Sequence, residues 1–172
     1  MKTSICHPKI FAYALAILLV TAHAAQSMTH RDEWIKLAIE TEIAKSPELG
    51  GVQVRVLVED GNVILLGAVR FYIQRMQIEK IAWKTEGVVE VENEAHVVPQ
   101  APLSDVEIER KILEITTEHD RFHGARIKVE VKEGSVSLNG TFRHPRDVIF
   151  LKHRVAEIAG VISVQFEIAF RV

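Results

Sequence analysis

An internal repeat at a fixed offset of 73 residues, the separation of Gly61 from Gly134, constrains this chain more than any other feature of its sequence. The matched positions need no gap and are mostly glycines and aliphatic residues in the same order: Gly51 with Gly124, Val56 with Val129, Val63 with Val136, Leu65 with Leu138, Gly67 with Gly140, and Gly87 with Gly160. Since turns depend on glycines and cores on aliphatic side chains, the two halves should share one fold.

Each half follows the same order of predicted elements: helix, strand, strand, helix, strand. Alternating valines from Val52 to Val58 predict a half-buried strand, and residues 59–62 predict the hairpin turn behind it. The second helices are predicted over residues 71–86 and 145–159. Three strands with one apolar face need a cover, which two helices can provide. The predicted fold class is therefore α+β, with two tandem αββαβ units, each a three-stranded sheet covered by two helices.

Capping residues mark the ends of the predicted helices. Asp32 and Ser104 are placed to cap the first helix of each half, and Ser104 with Glu107 forms a capping box. Gly87 and Gly160 follow the second helices and are expected to be left-handed caps.

Two further glycines, Gly67 and Gly140, fall on the inward register of their strands. A missing side chain there lets a helix or a neighbouring strand approach closely. We interpret both as structural glycines, with contact to a ligand as the alternative.

The first 24 residues have the pattern of a secretory signal peptide. Two lysines and no acidic residue accompany an unbroken apolar run over residues 10–20, and Ala22 and Ala24 supply the small residues that a signal peptidase reads. Cleavage is predicted before Ala25, and an uncleaved anchor is the alternative. The run is shorter than the roughly 20 residues that a membrane span needs. Export to a periplasm is the expected localisation.

The repeat and the prolines define the predicted organisation of the chain. Pro99 and Pro102 indicate a stiff joint between the halves. The predicted partition is a signal peptide over residues 1–24, an N-terminal linker over 25–31, a first domain over 32–98, a linker over 99–103 and a second domain over 104–172.

Two motifs present in both halves resemble those of BON domains. A hairpin leads into Val-x-Leu-x-Gly-x-Val/Phe-Arg at residues 63–70 and 136–143, and a helix ends in Gly-Val-x-x-Val at 87–91 and 160–164. The second copy departs once, with Glu133 before its turn glycine, which does not threaten the fold. Two tandem copies behind an export signal are similar to the OsmY-like periplasmic family of Gram-negative bacteria. The resemblance implies a non-enzymatic protein that binds phospholipid membranes or envelope proteins, often under osmotic stress.

Signals for catalysis or cofactor binding are weak throughout the chain. The single cysteine, Cys6, excludes a CxxC site, and no serine lies in a Gly-x-Ser-x-Gly frame. His119 and His123 with Asp120 could approach a metal, but the HExxH frame is absent. A formal net charge of -2 does not suggest a nucleic-acid binder. We therefore predict no enzymatic activity, no cofactor, no metal, no nucleic-acid partner and no small-molecule substrate.

The second helix of the second half carries the candidate binding residues. Its predicted buried stripe is Val148, Leu151, Val155 and Ile158, which leaves a patch of apolar and basic residues outside the stripe: Arg146, Ile149, Phe150, His153 and Arg154. Exposed apolar tips among cations suit an anionic bilayer interface. The alternatives are that Phe150 packs against the first half or its linker, that the stripe is wider, or that the patch binds a protein.

The charge balance of the halves favours the second as the contact with an anionic surface. Residues 32–98 hold 7 basic and 12 acidic residues, whereas residues 104–172 hold 11 of each. The leading hypothesis is a periplasmic protein that binds anionic phospholipid in envelope maintenance or osmotic stress protection. The alternative is an envelope adaptor or chaperone-like factor that binds other proteins.

Overall fold

The structure, a computed structural model, describes residues 30–170. The predicted signal peptide over 1–24, its cleavage site before Ala25 and nearly all of the predicted linker over 25–31 lie outside the described residues. Among the helices within the described range, none is both long and apolar enough to cross a bilayer.

Each repeat folds into a helix, a β-hairpin, a second helix and a third strand. The first unit comprises α1 (30–45), β1 (Gln53–Glu59), β2 (Asn62–Val69), α2 (Tyr72–Lys84) and β3 (Glu90–Val97). The second unit comprises α3 (Asp105–Glu118), β4 (Arg126–Lys132), β5 (Ser135–Phe142), α4 (Pro145–Ala156) and β6 (Ser163–Phe170). Short 3-10 turns, Pro47–Leu49 and Asp120–Phe122, stand between the first helix and the first strand of each unit.

The two sheets have the same mixed topology, with strand orders β1-β2-β3 and β4-β5-β6. The hairpin strands are antiparallel, and the third strand runs parallel to the second. Val63 of the central strand β2 pairs with Val58 on one side and with Val91 on the other. Because parallel neighbours need a crossover connection, α2 and α4 each carry the chain across one face of their sheet.

Two separate hydrophobic clusters form the interior, one in each unit. The first is built around Ile35, Ile39, Val56, Leu65 and Ile78, and the second around Ile108, Ile112, Leu138, Phe142 and Leu151. Within β1, Val56 is buried and its neighbours Arg55 and Leu57 are exposed, so the helices cover one face and leave the other open. The predicted fold class, two tandem αββαβ units, is confirmed.

The helix ends confirm some of the predicted caps and correct others. Ser104 caps α3, with its Oγ accepting from Glu107 N–H at 3.4 Å and its N–H donating to Glu107 Oε2 at 2.9 Å. The prediction that Asp32 caps α1 is wrong, because residues 30 and 31 are already helical. Gly87 and Gly160 have φ values of 89° and 99°, as left-handed residues should.

The second helices end before those glycines, which corrects their predicted ends at residues 86 and 159. Helix α2 ends at Lys84 because Thr85 is extended, and its side chain turns back to donate to Ile81 O at 3.0 Å. Helix α4 ends at Ala156. Gly87 and Gly160 therefore turn the chain toward the third strand three and four residues beyond their helices.

Asp32 and its counterpart Asp105 each hold the hairpin turn of their unit. Asp105 Oδ2 accepts from Glu133 N–H at 2.8 Å and its Oδ1 accepts from Gly134 N–H at 2.9 Å. Asp32 makes the equivalent bonds to Asp60 and Gly61 at 2.9 and 3.0 Å. The first helix of each unit is thus tied to a turn 28 and 29 residues further along the chain.

Candidate functional site

Helix α4 presents an exposed face with basic and apolar residues. Arg146, Ile149 and His153 are all exposed and stand three and four residues apart, so they follow one side of the helix. Ile149 is 60% exposed, although it is a large aliphatic residue. Pro145 occupies the first helical turn, as predicted.

The buried side of α4 matches the predicted stripe and extends beyond it. Leu151 and Val155 are buried and Val148 is half-buried, as expected from the spacing. Ile158, the last residue of the predicted stripe, is also buried but lies two residues beyond the end of α4. Ala156 is buried as well. The remaining side of the helix is therefore the one available to a surface or partner.

The prediction that Phe150 is exposed beside Ile149 is wrong. Phe150 is half-buried and packs against the second hydrophobic cluster, with its ring 6.2 Å from that of Phe122. His119 lies edge-on to the same ring at 5.0 Å, and the Arg121 guanidinium carbon lies 3.9 Å from its centroid. The stripe is thus wider than predicted, because the 3-10 turn before β4 folds over Phe150.

Arg121 is a candidate site residue that the sequence interpretation missed. Its guanidinium stacks on Phe150 in a cation–π contact, which places a cation beside the exposed face of α4. The repeat could have indicated where Arg121 lies. Phe122, the next residue, is the counterpart of Leu49, and both are buried. A buried anchor in that turn implies that the residue before it lies at the surface of the unit.

The segment that carries the exposed face is strongly basic. Residues 143–154 contain Arg143, Arg146, Lys152 and Arg154, with two histidines and the single acid Asp147. Asp147 is only 5% exposed, so its carboxylate does not sit among the basic groups at the surface. Arg154 Nη1 pairs with Glu157 Oε2 at 2.7 Å, which partly offsets one positive charge.

His119, Asp120 and His123 form no metal site in the structure. His119 packs on aromatic rings, and His123 Nδ1 lies 3.6 Å from Asp120 Oδ1 at the exposed end of the turn. Across residues 30–170, no group of three or more histidine, cysteine, aspartate or glutamate side chains is arranged to hold a metal ion.

Gly67 and Gly140 lie where neighbouring strands approach closely. A Cβ added to Gly67 would overlap the carbonyl oxygen of Gln53 on β1, and Gly67 has a φ of 145°. A Cβ added to Gly140 would lie 2.9 Å from the carbonyl oxygen of Arg126 on β4. The neighbour in both cases is a strand rather than a helix.

Comparisons with known proteins agree with the repeated fold. The BON domain family model matches residues 31–99 and again residues 104–171. A comparison with curated proteins finds no match.

Two solved structures of CdsD, a structural protein of the type III secretion system of Chlamydia trachomatis, are similar to this chain at low identity. The first, of the C-terminal domain, is 15% identical with a TM-score of 0.32, over 77% of this chain and 62% of that chain. The second is 12% identical with a TM-score of 0.28, over 78% of this chain and 90% of that one. This chain thus spans less than two thirds of the first structure.

The family matches fall on the two structural units, and together they include most of the chain. The chain therefore belongs to the BON domain family and carries two BON domains in tandem.

Proposed function

We propose that this protein is a periplasmic binding protein that contacts anionic phospholipid through the exposed face of α4 in its second BON domain. BON domains are non-catalytic binding domains associated with membranes, phospholipids and envelope proteins. The observation that carries the proposal is the exposed Ile149 between Arg146 and His153. An apolar side chain can enter the headgroup boundary while neighbouring cations meet phosphate.

The roles of Ile149 and Phe150 on this face differ from the roles that the sequence alone predicts. Ile149 supplies the inserting apolar side chain, whereas Phe150 holds Arg121 against the domain. Arg146, His153 and Arg154 remain the proposed partners of lipid phosphate, and Arg121 joins them. Each lysine or arginine close to an anionic surface contributes roughly 1 kcal/mol to binding.

The proposed setting is the envelope of a Gram-negative cell, in envelope maintenance or osmotic stress protection as in OsmY-like proteins. The predicted signal peptide, the cysteine-free chain after it and the tandem BON architecture support this setting.

The test is co-sedimentation of the purified protein with vesicles of phosphatidylglycerol and phosphatidylcholine, compared with phosphatidylcholine alone. We expect binding to the anionic vesicles only, and weaker binding as salt rises. Arg146→Glu with Ile149→Ser should reduce that binding at least tenfold. Ile149 is preferred to Phe150 as the target because Phe150→Ser would also remove packing against Phe122.

A matched control exists in the first domain, where Met76 and Lys80 occupy the positions of Ile149 and His153. Met76→Ser with Lys80→Glu makes the same change of charge on α2 and should leave vesicle binding unchanged. The proposal fails if the α4 variant is folded and binds anionic vesicles like the parent protein, or if both variants lose binding equally.

A further inference from the structure

The open faces of the two sheets differ in chemistry although they occupy equivalent positions. In each unit the helices cover one face, and alternate residues of the strands point to the other, which lies open to solvent. We call the sheet of β1–β3 sheet 1 and the sheet of β4–β6 sheet 2. The open face of sheet 1 carries the exposed Leu57 on β1 with the half-buried Ile64 and Leu66 on β2. The residues at the same positions of sheet 2 are Glu130, Ser137 and Asn139.

Leu57, Ile64 and Leu66 form a continuous apolar stripe on sheet 1. Leu57 is 43% exposed and pairs directly with Ile64, while Leu66 is two residues further along the same face of β2. Solvent-facing positions of a sheet are usually polar. Since sheet 2 has the same backbone with polar residues there, the fold does not require this stripe.

Acidic residues border the stripe along one side. Glu92 of β3 pairs with Ile64 and Glu94 pairs with Leu66, and Glu90 precedes them on the same face. All three glutamates are exposed, and none forms an ion pair within residues 30–170. The counterparts on β6 include only one acid, Glu167. On sheet 2, moreover, Lys128 pairs with Glu130.

Two shallow depressions lie along β1, the edge strand of sheet 1. One, of about 520 Å³, is lined by Gln53, Val54, Arg55, Leu66 and Gly67. The other, also of about 520 Å³, is lined by Leu57, Glu59 and Ile64 and extends round the strand edge to Val56, Val58 and Lys36 of α1. Space for the side chains of a bound molecule therefore lies beside Leu66 and beside Leu57, along the β1 edge of the stripe.

We propose that the open face of sheet 1 binds a polypeptide segment that carries apolar side chains next to lysines or arginines. The stripe would contact the apolar side chains, and the glutamates of β3 would pair with the cations. This site lies in the other domain from the proposed membrane contact, so the protein would hold a protein partner and a lipid surface at once.

The charges argue against the other occupants of this face. An anionic bilayer would be repelled by Glu90, Glu92 and Glu94. A second copy docked through the same face would bring three more glutamates against them. The open face of sheet 2 in a second copy offers Ser137 and Asn139 in place of apolar side chains. A cationic, partly apolar segment is complementary both to the stripe and to its border.

The test measures binding of a synthetic peptide of alternating lysine and leucine. A peptide of alternating glutamate and leucine, which has the opposite charge, is the control. We expect the lysine peptide alone to bind, and we expect it to shift the amide NMR signals of β2 and β3. Leu57→Glu with Ile64→Ser and Leu66→Asn installs the residues that sheet 2 already tolerates. This exchange should weaken peptide binding at least tenfold. Glu92→Gln with Glu94→Gln should weaken it and reduce its salt dependence.

A control removes exposed apolar side chains elsewhere in the same domain. Leu37→Glu with Trp83→Ser changes two exposed helix residues, adds the same single negative charge and should leave peptide binding unchanged. The proposal is overturned if the exchanged protein binds the lysine peptide as tightly as the parent. It is also overturned if the parent self-associates and the exchange abolishes that association, since the occupant is then a second copy. Vesicle binding by the exchanged protein should be unaffected, which separates this site from the one on α4.

Discussion

At the scale of single residues, the two hairpin turns have the same left-handed backbone but different side chains at its first position. Both central residues of each turn have positive φ, namely 52° and 80° at Asp60 and Gly61, and 50° and 74° at Glu133 and Gly134. Such turns favour Asn or Asp before Gly. Glu133 is therefore the less suited residue, and the two hydrogen bonds from Asp105 hold its backbone in place.

Replacing Glu133 with asparagine should stabilise the second domain. A left-handed backbone costs an ordinary residue roughly 1–2 kcal/mol, and asparagine avoids part of that cost, so we expect a gain of about 0.5–1 kcal/mol. Urea unfolding monitored by circular dichroism measures it. Glu133→Gln removes the same charge without the conformational preference, and an equal gain in that variant would assign the effect to repulsion from Asp105.

Gly67 and Gly140 should differ in their tolerance of a side chain. Gly67→Val meets the Gln53 carbonyl and also has a φ of 145°, whereas Gly140→Val meets the Arg126 carbonyl at 2.9 Å without an unusual φ. Overpacking alone costs about 1–3 kcal/mol. We expect both variants to be less stable, with the larger loss in Gly67→Val. An unchanged melting temperature in either variant would refute the packing role of that glycine.

At the scale of elements, local pattern predicted the helices and strands well because each unit satisfies its own periodicity. The alternation of Val52 to Val58 and the spacing of Leu151 and Val155 correctly identified the buried faces. The ends of α2 and α4 were predicted less accurately than their buried faces. Helix α2 ends before Gly87, because Thr85 is extended and its side chain donates a hydrogen bond to Ile81 O.

The local sequence pattern could not predict contacts between elements that are distant in sequence. Asp32 reads as a helix cap, yet its carboxylate bonds to a turn 28 residues away. Phe150 falls outside the aliphatic stripe, yet the turn at Asp120–Phe122 covers it. The sequence therefore assigned the exposed apolar role on α4 to two residues, Ile149 and Phe150, where the structure leaves only Ile149 exposed.

The N-terminus of α3 should make the second domain sensitive to acid. The hydrogen bond from the Ser104 hydroxyl, helped by the Ser104 N–H, lowers the pKa of Glu107 below its ordinary value. A carboxyl group whose pKa is lowered by folding stabilises the protein at pH values above its unfolded-state pKa. That stabilisation is lost as the pH falls through the lowered pKa.

Ser104→Ala should therefore remove part of the pH dependence of unfolding in the acid range, as well as lowering stability at neutral pH. Unfolding of both proteins by urea at a series of pH values from neutral to acid is the measurement. Thr117→Ala, at the far end of the same helix, is the control and should keep the acid dependence. If Ser104→Ala and the parent lose stability in parallel as the pH falls, Glu107 is not the group responsible.

At the scale of the whole molecule, the two domains have separate cores, and one side chain of the first domain packs into the core of the second. Tyr72, at the start of α2, packs against the hydrophobic cluster of the second domain. The first cluster contains no residue from the second domain among those described. The core of the second domain therefore takes part of its packing from the first domain, while the core of the first domain is built from its own residues.

This asymmetry predicts different outcomes for the two halves when the chain is divided. A fragment ending at Gln100 should fold alone with the stability of the first domain in the full chain, because its cluster stays complete. Both tryptophans, Trp34 and Trp83, lie in this half, so their fluorescence reports on its unfolding alone.

A fragment starting at Ala101 loses Tyr72 and should unfold more easily, by about 1 kcal/mol for a half-buried aromatic side chain. Tyr72→Ala in the full chain should lower the second transition by the same amount and leave the tryptophan signal unchanged. If the fragment ending at Gln100 is unfolded while the full chain is stable, the first domain is not the independent unit from which the protein is built.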